Sequence, residues 1–425
     1  MTTDNQPRTP AGAPTGGQRA TGAHHEPQLN LAPPGWPTFS TETVPWEPST
    51  DAYGPRTGRA QHRGPYEAAI APTIADAHIY LSSATSALVA EATAEIARFD
   101  GEPLGATTSF AALLLRTEAS SSSQIEDLTS SAKAIALAEL GRKGRANADQ
   151  IVANVTAMTS ALAHAEHLDP DAILAMHQAL MAHHLPKDAG RWRTQQVWIG
   201  GTTRSPHNAA YVAPTHPRVP AAIDDLVAFA GRDDIAVLAQ AALTHAQFES
   251  IHPFPDGNGR TGRALLHAQL RNGGLTRTSI VPVSAGLLAD TGRYFAALTL
   301  YRSGDIEPIV TEVAEAVFPA LANSRQLIAE VTSARASWGE RIHARRGASA
   351  WGLADLLTTR PVVDTKLTAA ELGISTVNAQ LAIDRLVDDG VLEQIGHGQR
   401  DRVWQAGEVL DAMEGFATRS RQRVH

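Results

Sequence analysis

The 425-residue sequence contains no cysteine, which excludes disulfides, zinc ribbons, iron–sulfur ligation and a thiol nucleophile, and suits a reducing cytosol. It contains no run of 18 or more apolar residues, which excludes a membrane-spanning helix. It also lacks a basic excess. Lys plus Arg total 36 against 44 Asp plus Glu, and a formal net charge of -8 argues against a chain whose main business is coating nucleic acid or anionic membrane. The opening MTTDNQPRTPAGAPTGGQRA shows neither an apolar signal core nor an Arg-rich amphipathic helix, so a cytoplasmic location with no membrane partner is the expectation. There is no internal repeat, and the 17 histidines, His24-His25 and His183-His184 among them, include no HExxH, so they read as surface or core residues.

What is present divides the chain into stretches of different texture. Residues 1–60 hold ten of the 25 prolines and seven glycines, too many helix breakers to build a core, and read as a disordered tail; its aromatic segment from Trp36 to Trp46 has the alternative reading of an extended docked arm. From Tyr66 onward apolar residues recur at spacings of three and four, predicting helices at 86–99, 110–119, 148–166, 170–183, 218–230, 234–250, 259–272 and 306–334. TQQVWIGG at 194–201 alone has strand character, that of a short hairpin arm. After residue 345 come a helix around WGLADLLTT, a second at Leu367–Leu372, a turn at Gly373 and an N-cap at Ser375. A third helix follows, whose buried stripe is read as Val377, Leu381, Ile383, Leu386 and Val387, and then a hairpin turning at His397-Gly398. That order is a winged helix-turn-helix. The expected fold class is all-α with one short β-hairpin, plus a small winged-helix domain, divided as tail 1–60, helical region 61–145, helical core 146–335 and C-terminal module 336–425.

IHPFPDGNGRTGR at 251–263 carries the chemistry. Gly257, Asn258 and Gly259 allow successive backbone N–H groups to converge on phosphate oxygens at the positive end of the following helix. Arg260 and Arg263, three apart, place two guanidinium forks on one turn, where they grip a polyphosphate. Asp256 offers a hard oxygen to Mg²⁺, and His252 is the group in the string able to take a proton near neutral pH.

The string resembles the signature HxFx(D/E)GNGRxxR of the Fic (Fic/Doc, Fido-fold) family and matches it at every specified position. AGRWRTQQVWIGG at 189–201 and YVAP at 211–214 look like the family's flap, a hairpin that pairs with an extended segment of a target protein. The resemblance covers roughly residues 62–330 and implies a protein adenylyltransferase. His252 is then the general base, Phe254 the anchor of the loop, Asp256 the Mg²⁺ ligand, and Val197, Trp198 and Ile199 the target-docking edge. The backbone of Gly257–Gly259 with the Asn258 side chain holds the α-phosphate of ATP, and Arg260 and Arg263 hold the β- and γ-phosphates. The implied partners are ATP and a target protein presenting a Ser, Thr or Tyr hydroxyl. Family members that transfer UMP, GMP, phosphate or phosphocholine, or remove AMP, leave the donor and direction open.

Upstream, EASSSSQIEDLTSS at 118–131 resembles the family's inhibitory motif (S/T)xxxE(G/N), with Ser122 first and Glu126 as the glutamate that pairs with Arg263; Asp127 departs from the usual Gly or Asn. The serine run itself reads as a polar N-terminal capping segment. Fic proteins with an appended winged helix are familiar in bacteria. Here that module carries five Lys/Arg against nine Asp/Glu over 351–410, where a DNA reader shows a basic footprint, so DNA stands as a partner beside dimerisation and target docking. A homodimer accords with the family and has no sequence signal of its own. The rival from another class is a nucleotide-sensing Fic core coupled to a DNA-binding regulator.

Overall fold

The computed structural model describes residues 35–46, 64–102, 109–142, 146–202, 205–396, 398 and 400–422. Most of the expected tail, 1–34 and 47–60, therefore lies outside the described residues, as does His397 of the expected C-terminal turn. Residues 35–46 depart from the tail expectation. Trp36 is 6% exposed and packs edge-on against Phe229, and strand β1 (Ser40–Val44) pairs antiparallel with β2 (Tyr66–Ile70), Ser40 opposite Ile70. An apolar ring seated on the helical core outweighs the local density of prolines.

The rest is mainly helical, as the periodicity requires. Helices α1 (Ser83–Asp100), α2 (Ser109–Ile125), α3 (Ala132–Glu139), α4 (Ala146–Ala163) and α5 (Pro170–Met181) precede the two-stranded hairpin of β3 (Trp198–Ile199) and β4 (Tyr211–Val212). Then come α6 (Val219–Ala230), α7 (Val237–Ile251), α8 (Asn258–Asn272), α9 (Val283–Leu287), α10 (Thr291–Arg302) and the 35-residue α11 (Glu307–Arg341). Side-chain caps fix several starts: Ser82, Ser131, Asp169 and Asp290 each accept from the amide three residues on. Helix α8 lies against α7, α4, α5 and α2, so the signature helix is enclosed.

The serine run differs from its reading. Ser120–Ser123 lie in the last turns of α2, and Ser121, Ser122 and Ser123 are buried, Ser122 against α8 and Ser123 against α4, with Ser123 Oγ donating to Ala119 O at 2.9 Å. A hydroxyl that bonds back to its own helix satisfies its hydrogen-bonding capacity locally, which lets it be buried within α2.

The C-terminal stretch contains α12 (Ser349–Leu357), β5 (Val362–Val363), α13 (Thr365–Leu372), α14 (Thr376–Asp388), β6 (Glu393–Gln394), β7 (Trp404–Gln405) and α15 (Gly407–Arg419), with sheet order β5-β7-β6. Ser375 caps α14 by accepting from Asn378 N, and Gly373 turns in the left-handed region at φ 62°. The expected stripe of α14 needs correction. Ile383 and Leu386 are buried with Ala379 and Ala382, but Val377 and Leu381 are 68% and 62% exposed and Val387 is exposed as well. The buried face combines these two alanines with Ile383 and Leu386 and packs against α12 and α13. The main hydrophobic core extends from Trp36 to Phe416, so α15 shares it with α2 and α11, and a second, small cluster joins Ala157, Leu180, Met181 and Ala189.

Candidate active site

Helix α7 is buried from Leu238 to Ile251 and ends at His252, which adopts the left-handed conformation (φ 52°, ψ 61°), unusual for a residue with a side chain. Gly257 is also left-handed (φ 78°), and α8 begins at the next residue. Asn258 closes the loop between them: its Oδ1 accepts from Phe254 N and its Nδ2 donates to Phe254 O, both at 2.9 Å. Both ends of that amide are thus engaged by backbone, and Asn258 shapes the loop. Phe254 is fully buried between the stacked rings of His177 (3.6 Å) and Trp192 (5.1 Å).

His177 is a functional residue that sequence reasoning missed. Its Nδ1 accepts from Gly190 N (3.1 Å), so the proton sits on Nε2, which donates to Asp256 O (3.1 Å). Burial pulls its pKa down to about 4 and keeps that tautomer neutral. A histidine on the buried face of an amphipathic helix carries no local signal of this role.

Two arginines meet one carboxylate at the start of α8. Glu126, just past the end of α2, accepts from Arg263 Nη2 at 2.7 Å and from Arg260 Nε at 3.1 Å. Arg263 also donates through Nε to Ser122 Oγ and through Nη2 to Ser122 O, both at 2.8 Å. The family resemblance pairs Glu126 with Arg263 alone; here it also accepts from Arg260. The turn beyond α2 passes through Asp127 at φ 61°. The position calls for a left-handed residue, a conformation that Gly and Asn adopt readily and that Asp tolerates better than most. Gly259 makes room for the carboxylate, because a Cβ there would lie 2.2 Å from Glu126 Oε1. Burial would lower the Arg263 pKa, but Glu126, Tyr294 and Glu249 together raise it above the ordinary arginine value. An anion supplied by the chain therefore sits at the positive end of α8, where the first-turn amides have no intrahelical acceptor.

His252 is half-buried beside this nest. Its Nδ1 lies 3.2 Å from Glu249 O, an acceptor, which leaves Nε2 unprotonated. Desolvation pulls its pKa to about 4, Glu249 O opposes the shift and Arg193 adds to it, so the imidazole is neutral at pH 7 and able to accept a proton. Behind the nest, burial pushes Glu249 up to about 7 and His245 down to about 3.

The hairpin pairs Trp198 with Val212 and Ile199 with Tyr211, and Ala213 N donates to Val197 O at 3.2 Å. Ile199 is exposed, so the outer edge is open to another strand. The Trp46 ring of the N-terminal arm stands edge-on to Trp198 at 5.8 Å, a contact with no trace in local sequence.

Asp256 is 46% exposed at the mouth of the nest, and its Oδ1 accepts from Gly257 N at 2.7 Å. Among the described residues no cluster of three His, Asp or Glu side chains could hold a metal ion. One exposed carboxylate beside an anion nest still fits Mg²⁺, which takes one or two carboxylates and draws its other ligands from phosphates and water. Among the described residues no helix is long and apolar enough to cross a membrane.

Residues 167–270 match the model of the Fic/DOC family. Protein adenylyltransferase fic-1 of Caenorhabditis elegans is 32% identical over 153 residues, 35% of this chain and 27% of that protein. Protein adenylyltransferase Fic of Nematostella vectensis is 30% identical over 152 residues, 35% of this chain and 32% of that protein. The chain thus spans about a quarter to a third of the length of the curated relatives it matches. A crystal structure of a Fic family protein from Desulfovibrio desulfuricans superposes with a TM-score of 0.50 at 21% identity, covering 77% of this chain and 97% of that one, a likeness of fold. The signature loop lies inside the matched region, so residues 167–270 of this chain match a Fic/DOC family domain.

Proposed function

We propose that the chain is a protein adenylyltransferase that uses ATP with Mg²⁺ and is held inactive by Glu126. The observation that carries this reading is the anion nest at the start of α8, set beside a neutral imidazole and filled by a carboxylate of the chain itself. A Ser, Thr or Tyr hydroxyl of a target protein, aligned as an added strand along Val197, Trp198 and Ile199, attacks the α-phosphorus of ATP. Its proton passes to Nε2 of His252; the new O–P bond forms as the bond from the α-phosphorus to the bridging oxygen breaks, and pyrophosphate leaves. The amides of Gly257–Gly259 receive the α-phosphate, while Arg260 and Arg263 receive the β- and γ-phosphates. Mg²⁺, held at Asp256, would neutralise phosphate charge. The similarity to proteins named adenylyltransferases supports ATP as the donor.

Glu126 and the γ-phosphate are anions that compete for one guanidinium fork. Incubation of wild type, Glu126→Gly and Glu126→Gly/His252→Ala with α-labelled ATP and Mg²⁺, following label on protein, tests base and brake together. Glu126→Gly should label strongly, wild type weakly, and the double mutant roughly 10²–10⁴-fold less than Glu126→Gly. Equal labelling of wild type and Glu126→Gly over a range of ATP concentrations removes the brake, and undiminished labelling of the double mutant removes the base. No label on any of them while nucleotide still binds removes adenylyl transfer.

We read α12–α14 with their three-stranded sheet as a winged helix-turn-helix. The exposed positions of α14 include Asp384 and Asp388 against one cation, Arg385, which weighs against duplex DNA as its partner.

A further inference from the structure

Between the hairpin and the signature loop lies a cation with no acid beside it. Arg193 is 3% exposed, and none of the ion pairs among the described residues includes it. Its guanidinium donates instead to four main-chain carbonyls: Nε to His252 O at 2.8 Å, Nη1 to Gln195 O at 3.0 Å, and Nη2 to Pro214 O and, at 3.5 Å, to Ile251 O. Its own amide donates to Pro253 O at 3.0 Å. Burial lowers its pKa to about 10, which leaves it charged at neutral pH. Burying an unpaired charge opposes folding, so a guanidinium at this place calls for a reason that an apolar side chain would not satisfy.

Its acceptors supply one. Ile251 and His252 end α7, where unpaired carbonyls and the negative end of the helix dipole both favour a cation. Tyr211 on β4 donates to a third carbonyl there, Ser250 O, at 2.6 Å. Gln195 and Pro214 lie on the two sides of the hairpin, just before β3 and just after β4. One rigid planar fork thus binds both edges of the hairpin and the left-handed residue that carries the imidazole, a geometry the flexible point charge of lysine does not reproduce.

We propose that Arg193 is a positioning residue that locks His252 to the hairpin, so that a hydroxyl presented on the hairpin edge meets Nε2 in line for transfer. The consequence for rate rests on the adenylyltransferase reading; the mechanical coupling does not, and the two are tested separately. In the full chain, Arg193→Lys keeps the charge and loses the fork. Hydrogen exchange followed by mass spectrometry should show protection falling together in the peptides covering 194–199 and 248–256, with the peptides of α14 unchanged. If the hairpin peptide loses protection while 248–256 keeps wild-type protection, or neither changes, the coupling is refuted. In the Glu126→Gly background, Arg193→Lys should lower the single-turnover rate of label transfer roughly 10²-fold with ATP affinity unchanged. A fall in affinity that accounts for the whole loss of rate would reduce Arg193 to a structural residue. Tyr211→Phe, which removes the single bond to Ser250 O, should give a smaller loss of the same kind and keeps the proposal testable if Arg193→Lys does not fold. Should Glu126→Gly itself transfer no label, the exchange experiment still decides the coupling.

Discussion

Helix α8 buries Arg260, Arg263, His267 and Gln269, whereas α14, of similar length, leaves Val377 and Leu381 in solvent. The difference lies in what faces each helix. Each of these four side chains meets a partner: Glu126 for Arg260 and Arg263, Glu118 Oε1 for His267 Nε2 at 2.7 Å, and Gln240 Oε1 for Gln269 Nε2 at 2.9 Å. Nothing among the described residues covers Val377 or Leu381. Hydropathy ranks residues by their average environment, but burial is decided by whether the neighbouring elements supply hydrogen bonds or space.

The contrast can be pressed with pH first, where the largest change is expected. His177, His245 and His252 all have pKa values depressed from the ordinary 6.5 to about 4, 3 and 4, so the native state binds fewer protons than the unfolded chain below pH 6.5. Glu249, raised to about 7, opposes them by binding a proton that the unfolded chain releases above its ordinary 4.5. Three histidines against one carboxyl leave about two extra protons on the unfolded chain between pH 6.5 and 4.5, so stability should fall steeply as pH is lowered through that window. Denaturant midpoints from pH 7.5 to 4.5 measure it, and a flat profile would mean that these histidines are not buried neutral. Next, Glu118→Ala strips His267 and Ser284 of their buried acceptor and should cost about 3 kcal/mol in chemical denaturation. On α14, Leu386→Ala should cost about 2–4 kcal/mol, since Leu386 is fully buried. The smallest effect belongs to Leu381→Ser, expected within about 0.5 kcal/mol of wild type, and equal costs at 381 and 386 would overturn the assignment of the exposed face.

The parts of this molecule legible in its sequence are those fixed by neighbours in the chain. Most long helices follow from spacings of three and four, and Gly257, Asn258 and Gly259 specify a tight entry to α8 because each type there has its own backbone or side-chain requirement. What was not legible is long-range. Arg193 and His177 reach main-chain carbonyls of the signature loop and the end of α7 that lie 58 to 79 positions away, and a carbonyl leaves no mark in sequence. The arm at Trp36–Trp46 is held by rings from distant helices and from the hairpin. On α14 the apolar positions run more than halfway round the helix, so periodicity alone does not choose between the alanine face and the face carrying Val377 and Leu381.

The close approach at Gly259 has a genetic consequence. Any side chain introduced there collides with Glu126 at the start of α8, where the proposed function places a phosphate, so a substitution that evicted the proposed brake from that side would also obstruct the proposed substrate. Under the proposed function, gain-of-function lesions would have no route through the loop and would concentrate at the end of α2, in Ser122, Glu126 and the left-handed Asp127. Lesions in the loop would be recessive losses. The steric economy that lets one nest serve two anions would thus make activation and inactivation separable by position along the chain.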